Sequence, residues 1–384
     1  MNEHNPAIVV AAYNRPESLS RLLTSLSNAY YEHKTRLIIS IDKSTDNRVI
    51  KLAEQFEWHH GKKTTITHDV NLGLREHIIR CGDLTSQYGS IILLEDDLFV
   101  SPYFYKYAAS ALNYYNNDNN IAGISLYDHK VNYIANMPFI SLKDDSDVYF
   151  LQLASSWGQA WTKAHWDSFK DWYNKNQSIN HFDMVPSQVK KWPESSWLKY
   201  FIAYMVTTSK YFVYPNTSLS TNFCAPGGQH IKNASNLQQT PLLSQDIDFK
   251  FKNLSESVAV YDAFFEILPE KLNLLAQPSL PANFDIDLYG KKDLACLTSN
   301  YILTTRQCRN NTKSFGLNLK PIELNVIMNN PGNDIYLARK DDLLSGRKHK
   351  RNNEYKKFLY FYAYEHYKKM IYFAIRLIIN KIKS

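Results

Sequence analysis

Short apolar runs alternate with helically spaced leucines through the first 130 residues of the chain. Ala7-Ile8-Val9-Val10-Ala11-Ala12 is apolar throughout and ends at the turn Tyr13-Asn14-Arg15-Pro16, which predicts a strand buried on both faces. Pro16 suits the first turn of a helix, and Leu19, Leu22, Leu23 and Leu26 follow at helical spacing. Arg36–Ile41 reads as a second strand closing on Asp42, and a helix through Ile50, Leu52, Ala53 and Phe56 follows. Thr64–Thr67 is a third strand, Leu74–Leu84 a helix, and Ser90–Leu94 a fourth strand that runs into Glu95-Asp96-Asp97. Repeated strand–helix units of this length predict an α/β fold, a mostly parallel sheet flanked by helices.

Sheets of that kind bind ligands beyond the carboxyl ends of their strands. Three polar clusters fall at such ends: Tyr13-Asn14-Arg15, Asp42-Lys43-Ser44 and Glu95-Asp96-Asp97. The last is the most demanding. Three carboxylates directly behind the apolar run Ile91-Ile92-Leu93-Leu94 repel one another, and burying them is costly unless a cation or hydrogen bonds compensate. Hard oxygen donors suit Mg²⁺ or Mn²⁺, which keep much of their coordination shell for phosphate and water.

Composition narrows the classes. The 384 residues are 44% hydrophobic and 21% charged, a globular profile with room for one large domain and appendages. The aromatic share is 14%, including 27 Tyr and 7 Trp; it suits stacking on sugars or bases, and equally an A+T-rich genome. Cys81, Cys224, Cys296 and Cys308 are widely spaced without a CxxC pair, so free thiols in a reducing compartment are expected. No basic segment followed by a long apolar one opens the chain, and no run of eighteen apolar residues occurs, so neither a leader nor a spanning helix is expected. The net charge of +7 sits in the tail: Arg347–Ser384 carries eleven Lys/Arg against Glu354 and Glu365, leaving the body near −2. That argues against a nucleic-acid-binding core.

The segments AAYNRPESLSRLLTSL, IISIDKSTD and IILLEDDLFVSPYFYKYAASAL together resemble the nucleotide-binding half of a GT-A fold glycosyltransferase. More narrowly they are similar to the N-acetylglucosaminyltransferase I group, and to family-2-like bacterial glycosyltransferases. The likeness continues through Ile121–Ser125 and Trp157-Gly158-Gln159-Ala160-Trp161 to about Trp172, a little under half the chain. It implies transfer of a sugar from a nucleotide-sugar, a UDP-sugar by analogy, to a hydroxyl of a glycan or lipid-linked glycan, with inversion and with Mn²⁺ or Mg²⁺. On that resemblance Asp97 binds the metal directly, and Glu95 and Asp96 act through water or on the ribose. Asp42 meets the uracil ring, Arg15 the diphosphate, and Tyr13 and His77 the nucleotide.

The base that takes the acceptor's proton is an Asp before a Trp in that group, which points to Asp171 of Asp171-Trp172, with Asp167 as its competitor. Where the family has two glycines in its aromatic loop, this chain has Ser155-Ser156-Trp157-Gly158, which puts the acceptor side in doubt. Gly227-Gly228-Gln229-His230 reads either as an ordinary turn or as a loop over the donor, with His230 beside the metal. The expected organisation is a transferase domain over 1–284, divided into a nucleotide-binding half, 1–130, and an acceptor and catalytic half, 131–284. An extension without legible chemistry, 285–346, and a basic amphipathic tail, 347–384, follow.

In that tail basic residues interrupt aromatic and aliphatic ones every few positions, as in helices that lie on anionic membrane surfaces. A cytoplasmic protein, peripheral on the inner face of the cell membrane, is therefore expected; the alternative is a helix packed on the body. Two other classes stay open. One is a nucleotide- or carbohydrate-binding module without catalysis. The other is a nucleotidyltransferase, which usually carries a Gly-rich phosphate loop after strand 1, where this chain has Tyr-Asn-Arg-Pro.

Overall fold

The computed structural model describes residues 4–223, 238–344, 347–362, 369 and 371–376. The chain divides into two compact units, 1–130 with 141–265, and 131–140 with 266–384.

The first unit is built on the expected alternation. Strands β1 (Ala7–Ala12), β2 (Leu37–Ile41), β3 (Lys63–Thr67) and β4 (Ser90–Glu95) alternate with helices α1 (Pro16–Ser27), α2 (Arg48–Gln55) and α3 (Gly73–Asp83). All six residues of β1 and all five of β2 are buried, as an apolar run covered on both faces requires. In α1, Leu19, Leu22, Leu23 and Leu26 are buried on one stripe, so the helical spacing read from the sequence is the packing face. At roughly 1.5–3 kcal/mol for each buried aliphatic side chain, that stripe holds α1 to the sheet far more firmly than helix propensity could.

Beyond the acidic triplet lie β5 (Leu98–Val100), α4 (Phe104–Tyr114), β6 (Ile121–Ser125), β7 (Val148–Leu151) and β8 (Gln159–Thr162). Then come α5 (Lys163–Lys175), α6 (Trp197–Thr207), β9 (Tyr211–Pro215), β10 (Ser220–Asn222) and β11 (Val260–Tyr261). The large sheet has nine strands in the order β11-β7-β9-β6-β8-β4-β1-β2-β3. Its β3-β2-β1-β4 side is wholly parallel, and β8 enters antiparallel between β4 and β6. The WGQAW segment, expected as a loop, is thus a turn at Trp157-Gly158 followed by a central buried strand. Gly158 turns the chain at φ 88°, and a Cβ there would meet the Leu126 side chain at 3.0 Å, which leaves glycine the fitting residue. Under this part of the sheet Trp161, Trp166, Phe169 and Phe201 pack as one aromatic cluster, with Phe169 and Phe201 centroids 4.3 Å apart.

The second unit holds a four-stranded sheet of β12 (Phe284–Asp287), β13 (Tyr301–Thr304), β14 (Lys313–Phe315) and β15 (Ile335–Arg339), in the order β12-β13-β15-β14. The expected extension 285–346 therefore has its own core, and the division lies at 265/266, ahead of the expected 284. Helix α7 (Arg347–Phe361) opens the basic tail. Its Lys357 is only 2% exposed and donates to the Tyr289 carbonyl at 2.6 Å, while Phe361 stacks on Tyr289 with an interplanar angle of 4°. This part of the tail is packed into the second unit, the plainer of the two readings. Ile371, Tyr372, Phe373 and Ile375 further along are exposed. Among the described residues no helix is long and apolar enough to cross a membrane.

Candidate active site

The ladder around β1 continues one residue past its end. Asp42 N–H donates to the Ala12 carbonyl at 2.9 Å, and Asp96 N–H to the Ala11 carbonyl at 3.1 Å. Because β2 and β4 flank β1, these two bonds set Asp42 and Asp96 on either side of Tyr13. With the start of α3 they enclose a cleft of ≈ 410 Å³, within the roughly 300–1,000 Å³ of small-molecule sites. Its lining includes Tyr13, Arg15, Asp42, His77, Glu95 and Asp96, so six of the residues singled out from the sequence share one cavity. Asn71, Gly73 and Leu74, which sequence reasoning passed over, complete the wall. The signal for them was their position at the carboxyl end of β3, where no charged motif drew attention.

Each side chain has a distinct situation. Tyr13 is 42% exposed and free to offer its ring to a ligand. Asp42 is buried, and both its oxygens accept backbone amides: Oδ1 from Lys43 and Leu72, each at 2.8 Å, and Oδ2 from Gly73 at 3.0 Å. This carboxylate, which the family resemblance assigns to the uracil ring, lines the cleft and also fixes the entry to α3. His77 is buried with Nε2 2.9 Å from Ser40 Oγ, and burial pushes its pKa down to about 4, so the ring is neutral near pH 7.

The acidic triplet is held by one guanidinium. Arg15 Nη1 donates to Asp97 Oδ2 at 3.1 Å, and Nη2 bonds Asp96 Oδ1. Tyr13 N–H reaches Asp96 Oδ2 at 3.4 Å. Burial pushes Asp96 up to about 6, opposed by Arg15 and reinforced by Asp97. Glu95 is also raised, first by burial and then by Asp97 and Asp96. The other oxygen of Asp97, Oδ1, is buried and has no hydrogen-bond partner among the described residues.

Such an atom is costly to leave unmatched. Together with two neighbouring acids raised by burial and then by the charges beside them, it fits a divalent cation bound through oxygen. No three carboxylate, His or Cys side chains among the described residues converge as a protein-only cage would need. A Mg²⁺- or Mn²⁺-like ion needs no such cage, because one or two carboxylates with phosphate and water complete its shell.

The remaining expected residues lie elsewhere. Asp171 is exposed on α5, a helix that starts at the opposite end of the sheet, where Lys163 N–H bonds the Gly89 carbonyl. Its neighbour Trp172 packs against Phe182 and Tyr204, each at 5.9 Å. Asp167 is ion-paired with Lys163 on the same helix. Neither aspartate lines the cleft. Glu194, just before α6, lies 3.9 Å from Arg75 of α3, but its carboxylate is held low by hydrogen bonds from Lys199 and Tyr200, which suits an anchor better than a base. His230, with Gly227 and Gly228, lies outside the described residues.

Residues 7–165 match the model of glycosyl transferase family 2. This range begins with β1 and ends just inside α5, and it holds much of the expected α/β fold, a mostly parallel sheet flanked by helices. Among solved structures, the chain is similar to TarS of S. aureus at 13% identity and a TM-score of 0.35, over 56% of this chain and 36% of that one. TarS 1–349 in complex with UDP-GlcNAc gives 12% and 0.38 over 60% and 61% of the two chains. The mannosyltransferase PcManGT from Pyrobaculum calidifontis, in complex with GDP-Man and Mn²⁺, gives 12% and 0.32 over 44% and 47%. The matched part is thus less than two thirds of each of these chains, and likeness at this level decides neither substrate nor mechanism. Among curated proteins, none matches.

Proposed function

We propose, from the match of residues 7–165 to the glycosyl transferase family 2 model, that the protein is an inverting, divalent-metal-dependent transferase. It moves a sugar from a UDP-sugar to a hydroxyl of a glycan or lipid-linked glycan, in surface polysaccharide or glycoconjugate synthesis. The observation that supports this reading best is the buried, unmatched Asp97 Oδ1 beside a cleft whose lining collects Tyr13, Arg15, Asp42 and His77. Tyr13 offers a ring to the base, His77 a neutral wall, Arg15 a charge for the diphosphate, and Asp97 with Asp96 and Glu95 hold the cation. When bound, that cation would neutralise charge on the departing diphosphate.

Asp171 is the proposed base on the family resemblance, and His230 a proposed neighbour of the metal on the same ground. Inversion follows from a single base in place of a nucleophile pair, so an α-linked donor yields a β-linked product. The exposed Ile371, Tyr372, Phe373 and Ile375, among basic Lys369 and Arg376, suit contact with the inner face of an anionic membrane. The deciding experiment is a donor screen with Mn²⁺, reading released nucleotide diphosphate across UDP-, GDP- and CMP-sugars. Turnover with UDP-sugars and an axial–axial anomeric coupling in the product are expected. Turnover with another nucleotide alone, or an α-linked product, rejects the donor or the stereochemistry respectively.

A further inference from the structure

The Arg15 guanidinium bridges Asp96 Oδ1 and Asp97 Oδ2, on the same two carboxylates that carry the charge beside the unmatched Asp97 Oδ1. Among the described residues, the hydrogen bonds of this side chain go to those two acids. The acids are rigidly placed, with side chains only 3% and 12% exposed, whereas Arg15 is 24% exposed and lines the open cleft. Its side chain also makes no capping bond at the start of α1, where the backbone of Arg15 alone serves as the cap. An arginine stays charged at any working pH. A divalent cation at Asp97 Oδ1 would therefore sit beside a fixed positive charge and compete with it for the charge of the same two carboxylates.

We propose that Arg15 is a displaceable counter-cation: it neutralises Asp96 and Asp97 until a divalent ion arrives, and leaves when a diphosphate in the cleft receives it. This rests on the reading of Asp97 as a metal ligand and adds to it an order of events. Removing a guanidinium from a buried carboxylate pair is costly when nothing replaces it, so the ion alone binds weakly. A diphosphate in the cleft that Arg15 lines offers the guanidinium an equally good fork of acceptors. Metal and diphosphate then favour each other, and by linkage each raises the other's affinity by the same factor. The device keeps three acids compatible with a folded, metal-free protein, and it reserves metal binding for the moment a donor is present.

The test is Mn²⁺ titration by calorimetry and by EPR of the full chain and of Arg15→Met, without nucleotide and with UDP. Arg15→Met is expected to bind Mn²⁺ alone about tenfold or more tightly than wild type, within the range typical of site-to-site coupling. Mn²⁺ should also raise its melting temperature by more than that of wild type, and UDP should enhance its Mn²⁺ affinity less. Arg15→Lys, which keeps a charge without the fork, should fall between the two and serves if the methionine variant does not fold. If neither variant binds Mn²⁺ alone more tightly than wild type, Arg15 is a fixed structural partner and the proposal is wrong. In that case Mn²⁺-dependent turnover by wild type would leave the metal-dependent function standing. Absence of Mn²⁺ binding by every protein, with and without UDP, would remove both.

Discussion

Ser40 Oγ of β2 and His77 Nε2 of α3 are 2.9 Å apart, joining a strand under the cleft to the helix that walls it. Burial takes the ring from 6.5 to about 4, and His129 and His165 are likewise pushed down to about 3 and about 4. The unfolded chain protonates these positions below about 6.5, while the folded chain resists until about 4. More protons bound in the unfolded state means that stability falls as the pH drops through this window and is fully present above it. For His77 the effect is on the order of 3 kcal/mol. His77→Gln, which retains a partner for Ser40, should flatten the loss between pH 6.5 and 4 in urea titrations. An unchanged slope would place the acid sensitivity elsewhere.

Asp97→Asn removes charge from the one triplet member with a buried, unmatched oxygen. Turnover should fall on the order of 10²-fold or more, as when a preorganised charge stabiliser is lost. EDTA should abolish wild-type activity and Mn²⁺ restore it. Near-wild-type rates for the variant, or indifference to EDTA, would remove the metal from the reaction.

Asp171→Asn addresses the base. Loss of a positioned proton acceptor should lower kcat by about 10²-fold or more, with UDP affinity unchanged in calorimetry. An unaffected kcat would reject Asp171 as the base and leave its competitor Asp167, on the same helix, as the next to replace. Joint loss of turnover and UDP binding would assign Asp171 a structural role.

Two truncations separate the parts of the tail. A chain ending at Gly346 loses Lys357 and Phe361 from the second unit and should melt earlier or aggregate. A chain ending at Tyr362 should keep the fold and its activity on a soluble acceptor, but lose salt-sensitive binding to anionic vesicles. Attraction of that kind is screened over roughly 8 Å at physiological salt. Undiminished vesicle binding by the shorter chain would locate the membrane contact elsewhere.

The strand–helix alternation through β4 was legible because each element carries its own period: unbroken apolar runs for β1 and β4, and leucines at helical spacing for α1. The site was legible for the same reason, since Asp42 and Asp96 sit one residue past strand ends. β8 was not. Gln159-Ala160-Trp161-Thr162 is four residues long, and its strand character comes from pairing with β4 and β6, neither adjacent in sequence. Arg15 could be placed near the acids by topology, but its bridge between Asp96 and Asp97 depends on rotamers that no spacing encodes. The division at 265/266 was hidden too, because the second unit borrows residues 131–140 from far upstream.

Asp42 carries a consequence for anyone who would retune the choice of nucleotide. Its two oxygens hold the amides of Lys43, Leu72 and Gly73, so any contact it makes with the proposed nucleotide is tied to the placement of α3. Asparagine would present an NH₂ where an amide must be accepted, and the helix carrying His77 would shift with it. On the proposed function, nucleotide choice should therefore be adjusted from exposed Tyr13, which has no part in holding α3.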